Sequence, residues 1–76
     1  MERDELFEEA ARAIVEKKMA TASFLQRKFV LGYNRADRII DQLERYSIIG
    51  EFEGYLPRKV LFENLDELNE FLEKIK

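Results

Sequence analysis

Between Phe24 and Gly50 the chain runs FLQRKFVLGYNRADRIIDQLERYSIIG, two short amphipathic stretches that meet at a single glycine. Phe24, Leu25 and Phe29 recur at helical spacing, which predicts a helix over residues 22–30 with Thr21 as its N-cap. Gly32 follows the last apolar residues, where a helix stop favours a residue free to take positive φ. A second helix is predicted over residues 34–46, with Ala36, Ile39, Ile40 and Leu43 as its apolar stripe. At about 100° per residue, Asn34, Arg38, Asp41 and Arg45 point away from that stripe. Arg35 and Gln42 fall on one flank, Asp37 and Glu44 on the other, so the outer side has a cationic, amide-bearing edge and an acidic one.

The flanking segments complete a layout. Residues 4–18 predict a first helix, with Leu6, Phe7, Ala10, Ala11, Ile14 and Val15 inward, Asp4 as N-cap, and Lys17 and Lys18 at the end where the helix dipole favours cations. From Ile48 the period changes. IIGEFEG reads as a strand, Gly54 to Pro57 as a turn, and RKVLF as a second strand, which makes a two-stranded hairpin. Leu65, Leu68, Leu72 and Ile75, with Phe71 beside them, predict a fourth helix over residues 65–76, capped by Asn64. Three helices followed by a hairpin is the order of a winged helix-turn-helix domain. The expected class is therefore α+β, mainly α, in one domain over residues 1–76 with an extra amphipathic helix over 63–76. That helix either packs across the first and completes the core or offers a leucine stripe to another protein.

Composition narrows the chemistry. The chain has no cysteine and no histidine, which removes disulfides, Cys/His zinc sites and histidine acid–base catalysis. The carboxylates form no catalytic pair, and no GxxxxGK[ST] loop is present, so neither an enzyme nor a cofactor is expected. Apolar runs are only a few residues long and the start, MERDELFEEA, is charged, so neither a membrane contact nor a signal peptide is expected. These features suit a cytoplasmic, monomeric domain. The net charge is −3, distributed as −2 over residues 1–18, +2 over 19–47 and −3 over 63–76, so the helix pair is the only basic segment.

In a helix-turn-helix the second helix enters the major groove and meets base edges with its N-terminal residues. Arginine donates two bonds to guanine O6 and N7, asparagine reads adenine by two points, and aspartate accepts from cytosine N4. Asn34, Arg35, Arg38, Asp41 and Gln42 form a chemically sensible reading set, and Arg27, Lys28 and Arg45 are candidate phosphate contacts. Each residue also has a plainer role. Asn34 suits an N-cap, Arg38 suits pairing with Asp37 or Asp41, and Arg45 suits pairing with Asp41. Arg58 and Lys59 suit protection of an edge strand, while Tyr33 and the phenylalanines are core residues by default.

The runs QRKF, GYNRADRIIDQLE and IIG, followed by PRKVLF, resemble the C-terminal gamma domain of the FtsK/SpoIIIE DNA translocases. The family pattern is LQRR, IGYNRAARLMDQLE, GIVG and PREVL, and DELFEEAARAIVE matches its first helix, so the resemblance covers residues 4–62. It implies a winged-helix module that binds double-stranded DNA at short, G-rich, oriented sites and activates a site-specific tyrosine recombinase. The parent translocase would be membrane-anchored at the division site. By residue match, Asn34, Arg35, Arg38 and Asp41 would read the groove, Arg27 would approach from the preceding helix, and Arg58 would sit at the wing. The chain departs from the pattern at Asp37, which replaces a small residue, and at the wing, where Glu53, Tyr55 and Leu56 stand in place of small polar residues. With the acid excess and the leucine stripe, the altered wing favours the rival reading of a winged helix used for protein contact with little DNA affinity.

Overall fold

The computed structural model describes residues 3–54 and 56–76; Met1, Glu2 and Tyr55, the last within the expected wing turn, lie outside the described residues. Four helices are present among them: α1 (Phe7–Lys17), α2 (Ala22–Phe29), α3 (Tyr33–Arg45) and α4 (Leu65–Lys74). α3 packs on α2 and on α1, and α4 packs on α1. Phe7, Ala10, Ala11, Ile14 and Val15 of α1, Phe24 and Leu25 of α2, and the Ala36, Ile39, Ile40, Leu43 stripe of α3 share one core with Ile48, Ile49, Leu68 and Leu72. Burial of these side chains, each worth about 1.5–3 kcal/mol for a large aliphatic or aromatic group, is what holds so short a chain together.

Helix ends differ from expectation in instructive ways. Asp4 does not cap α1. Its Oδ1 accepts from the Leu6 N–H at 2.9 Å and its carbonyl from the Phe7 N–H at 2.9 Å, which closes a turn ahead of the helix. Thr21 caps α2 by accepting from the Phe24 N–H, and Asn64 caps α4 by accepting from the Glu67 N–H, both as expected. Gly32 does not close α2. Its φ is −70°, and it is the uncapped N-cap of α3; the left-handed residue is Val30, at φ 55°. Its N–H donates to the Gln26 carbonyl, as does that of Leu31 at 3.1 Å, so the last turn is satisfied at the cost of a β-branched residue in αL. Val30 is 90% exposed and contributes no packing in return. Val30→Asn is therefore expected to stabilise the fold by about 1 kcal/mol, read as a rise in Tm of roughly 4–8 °C by circular dichroism. An unchanged or lower Tm would contradict the strain assigned to Val30.

The segment after α3 is less regular than a hairpin of two strands. Ile49 and Val60 form one isolated antiparallel bridge, and Glu53 and Leu56 another. The Leu61 N–H donates to the Ile48 carbonyl at 3.0 Å and the Gly50 N–H to the Lys59 carbonyl at 2.8 Å. An antiparallel ladder would next return a bond from the Lys59 N–H to the Gly50 carbonyl. That carbonyl instead accepts from the Arg58 guanidinium at 3.1 Å, and Pro57 has no N–H to extend the ladder. The two segments stay antiparallel and adjacent without becoming continuous strands.

α4 is tied to α1 by more than its leucines. Arg12 Nε donates to Asn69 Oδ1 at 2.9 Å, and Lys18 Nζ donates to the Phe62 and Glu63 carbonyls at 3.0 and 2.7 Å. With Leu68 and Leu72 buried against the shared core, α4 is part of this fold, and the packing reading of that helix holds.

Candidate nucleic-acid interface

α3 buries its apolar stripe on α1 and α2 and leaves the opposite side open. Asn34, Arg38, Asp41 and Arg45 are all exposed there, as the helical angles predict. Arg27 and Lys28, in the last turn of α2, are exposed as well, and so is Lys59 on the returning segment. Asn34 is the second residue of α3 and not its cap, so its amide is left for other partners. Among the described residues Arg38 has no ion pair; the expected pairing with Asp37 or Asp41 does not form.

The flank of α3 that carries Arg35 and Gln42 differs from expectation. Gln42 is buried, at 6% exposure, because the N-terminal segment lies along this flank. Its Oε1 accepts from the Asp4 N–H at 2.9 Å, so Gln42 anchors the segment and is not presented to solvent. Arg35 donates from Nε to Asp4 Oδ2 at 3.0 Å and from Nη2 to Asp4 Oδ1 at 2.9 Å, a fork-to-fork pair bridging two distant parts of the chain. The hydrogen bonds from Arg35, followed by that from the Leu6 N–H, hold the Asp4 carboxyl below its ordinary range against the opposing effect of burial. Asp4 in turn raises Arg35. An open groove of about 480 Å3 runs beside this pair, lined by Arg3, Asp4, Glu5, Arg35, Arg38 and Gln42.

The Asp4 shift carries a pH dependence. A carboxylate with a depressed folded-state value binds fewer protons folded than unfolded near pH 4, so its stabilising contribution is complete above the unfolded value of about 3.9 and is lost as pH falls through the folded one. The Tm gap between the wild-type chain and Asp4→Asn is therefore expected to be constant near neutrality and to close below about pH 4. A gap that does not narrow at all as the pH falls through the acid range would show that the Asp4–Arg35 pair does not contribute.

On the other side, Arg58 is committed within the fold. Its side chain is 15% exposed, Nη1 donates to Glu44 Oε1 at 2.7 Å, and the guanidinium lies 5.8 Å from the Phe52 ring centroid. It braces the bridged segments against α3 and is neither a projecting wing cation nor an edge-strand guard. Tyr33 and Phe52, expected in the core, are 59% and 70% exposed. With Leu56 and Pro57 they line a shallow groove whose floor is Ile40. Glu51 and Glu53 are exposed on the same bridged segment.

Two residues that the sequence did not assign to this surface organise it, Asp4 having been read only as a helix cap. Asp4 fixes Arg35, and Arg3 places its guanidinium 5.4 Å from the Phe7 ring and 5.5 Å from the Tyr46 ring. The flank carrying Arg35 and Gln42 bears no local mark of a seam, because the segment that covers it comes from 31 residues away. No group of His, Cys, Asp or Glu among the described residues is arranged to hold a metal. None of their helices is long and apolar enough to cross a membrane.

Comparison with known proteins gives a consistent set of relatives. Residues 1–63 match the family described as the Ftsk gamma domain. The DNA translocase FtsK of Chlorobaculum tepidum is 45% identical over 73 residues, covering 96% of this chain and 9% of the translocase. From Bacillus subtilis, the DNA translocase SftA is 49% identical over 69 residues, covering 91% of this chain and 7% of that protein. The DNA translocase SpoIIIE of the same organism is 47% identical over 68 residues, covering 87% and 9%. The chain thus spans under a tenth of the length of these relatives.

Proposed function

Because the chain belongs to the FtsK gamma domain family, we propose that it is a winged-helix, double-stranded DNA-binding module that reads short, G-rich, oriented sites for a larger DNA translocase. The observation that carries this reading is the open side of α3, where Asn34, Arg38, Asp41 and Arg45 stand exposed opposite a fully buried stripe. Asn34 and Arg38 lie in its first turns, the part of a recognition helix that meets base edges, and Asp41 adds an acceptor suited to cytosine. Arg27 and Lys28 of α2, Arg45 of α3 and Lys59 are exposed, and they act as phosphate contacts that fix register. The bridged segments from Ile48 to Leu61 act as a short wing. The work of the module is binding; hydrolysis and movement belong to the parts of the translocase outside this segment.

Fluorescence anisotropy with guanine-rich duplexes tests the reading. Binding is expected at low salt and is expected to weaken on the order of a hundredfold between roughly 50 and 200 mM salt, as release of a few counterions requires. No binding to any duplex at low salt would remove it.

A second reading, contact with a protein such as a tyrosine recombinase, draws on the wing side. Phe52, Leu56 and Tyr33 are exposed beside Glu51 and Glu53, a surface that repels phosphate and suits a protein.

A further inference from the structure

The Asp4–Arg35 pair lies at the edge of the proposed DNA surface, and what it leaves unbonded is informative. Asp4 is itself held at three points: its N–H donates to Gln42 Oε1, its Oδ1 accepts from the Leu6 N–H, and both carboxylate oxygens accept from Arg35. Each contact measures 2.9 or 3.0 Å. The carboxylate is thus a fixed mount, not a mobile surface acid. It engages the side edge of the guanidinium, Nε and Nη2. Among the described residues the Nη1 amino group and the outer hydrogen of Nη2 carry no bond, and the Arg35 side chain keeps 41% of its exposure. These remaining donors form the end edge of the guanidinium, a two-point pattern that matches guanine O6 and N7.

We propose that Asp4 is a positioning residue that orients Arg35 to read a guanine, with buried Gln42 holding Asp4 in place. This rests on the DNA-binding reading above. Two consequences follow from chemistry. An arginine fixed before binding loses less rotamer freedom when it meets the base, which favours the matched site. A carboxylate beside it cancels the general attraction of that cation for phosphate, which lowers affinity for every sequence. Asp4 therefore exchanges overall affinity for discrimination. An acidic latch that merely covered Arg35 would lower affinity and leave discrimination untouched.

The experiment measures the ratio of affinities for a preferred guanine-rich duplex and for the same duplex with each guanine replaced in turn. Arg35→Ala is expected to lower the ratio at one guanine on the order of tenfold and leave the others unchanged. Asp4→Asn is expected to lower the ratio at that same guanine while tightening binding to unrelated duplexes. In the Arg35→Ala background, Asp4→Asn is expected to have no further effect on the ratio. Arg35→Lys keeps the charge without the fork and is expected to resemble Arg35→Ala, which preserves the test if Asp4→Asn fails to fold by circular dichroism. Wild-type discrimination retained in Arg35→Ala or Arg35→Lys, or tighter binding by Asp4→Asn with the ratio intact, would overturn the proposal while leaving the DNA-binding reading standing. Absence of binding by the wild-type chain would instead sink that reading.

Discussion

Leu68→Ala is expected to cost about 2–5 kcal/mol, which is comparable to the whole stability of a domain of this size, roughly 3–5 kcal/mol. Leu68 is completely buried, and α4 is fastened to α1 through it, through Leu72 and through the Arg12–Asn69 bond. Removing the side chain leaves a cavity between the two helices that a small core has little means to refill. The measurable result is a Tm lower by roughly 10–30 °C, or a largely unfolded population at 25 °C, in a thermal melt. Glu70→Ala, on the exposed side of the same helix, is expected to change stability by less than about 0.5 kcal/mol. An unchanged Tm for Leu68→Ala would mean that α4 is an appendage. The family match ends at residue 63, just short of α4, whereas the Chlorobaculum tepidum alignment covers 96% of the chain and so reaches into that helix.

The double substitution of Asn34 and Arg38 by alanine is expected to lower affinity for the preferred duplex on the order of a hundredfold, with the fold intact. Each side chain is assigned one base contact worth about 1–3 kcal/mol, and their one-turn spacing makes the two effects less than strictly additive. Both are exposed, and Gly32, not Asn34, is the N-cap of α3, so neither change removes packing or a helix cap. A duplex titration checks affinity and a thermal melt checks the fold. Unchanged affinity would move the base contacts off this side of α3 and favour the protein-contact reading.

Where local chemistry decides, sequence and structure agree. Thr21 and Asn64 cap α2 and α4 because each offers a side-chain oxygen to an otherwise unpaired N–H. The α3 stripe of Ala36, Ile39, Ile40 and Leu43 buries in full, and Asn34, Arg38, Asp41 and Arg45 emerge on the far side, because helical geometry dictates both. Disagreement begins where a distant segment arrives. Nothing local distinguishes the edge carrying Arg35 and Gln42 from a solvated one; Asp4 meets it from 31 residues away. Arg58 was legible as a wing cation, but Glu44 and the Gly50 carbonyl claim it. Val30 defeats the expectation of a glycine stop because the Gln26 carbonyl is satisfied by whichever residue follows α2. Tyr33 and Phe52 show the converse error, since an aromatic residue does not by itself declare a core position.

On the proposed reading, the open side of α3 reads base sequence and does not merely attract phosphate. Selection from a pool of randomised duplexes at moderate salt, followed by sequencing of the retained fraction, tests it most directly. The expected outcome is enrichment of one short, guanine-rich motif without two-fold symmetry, enrichment that disappears with Arg38→Ala. Retention of duplexes without any enriched motif, or a motif that survives loss of Arg38, would contradict it.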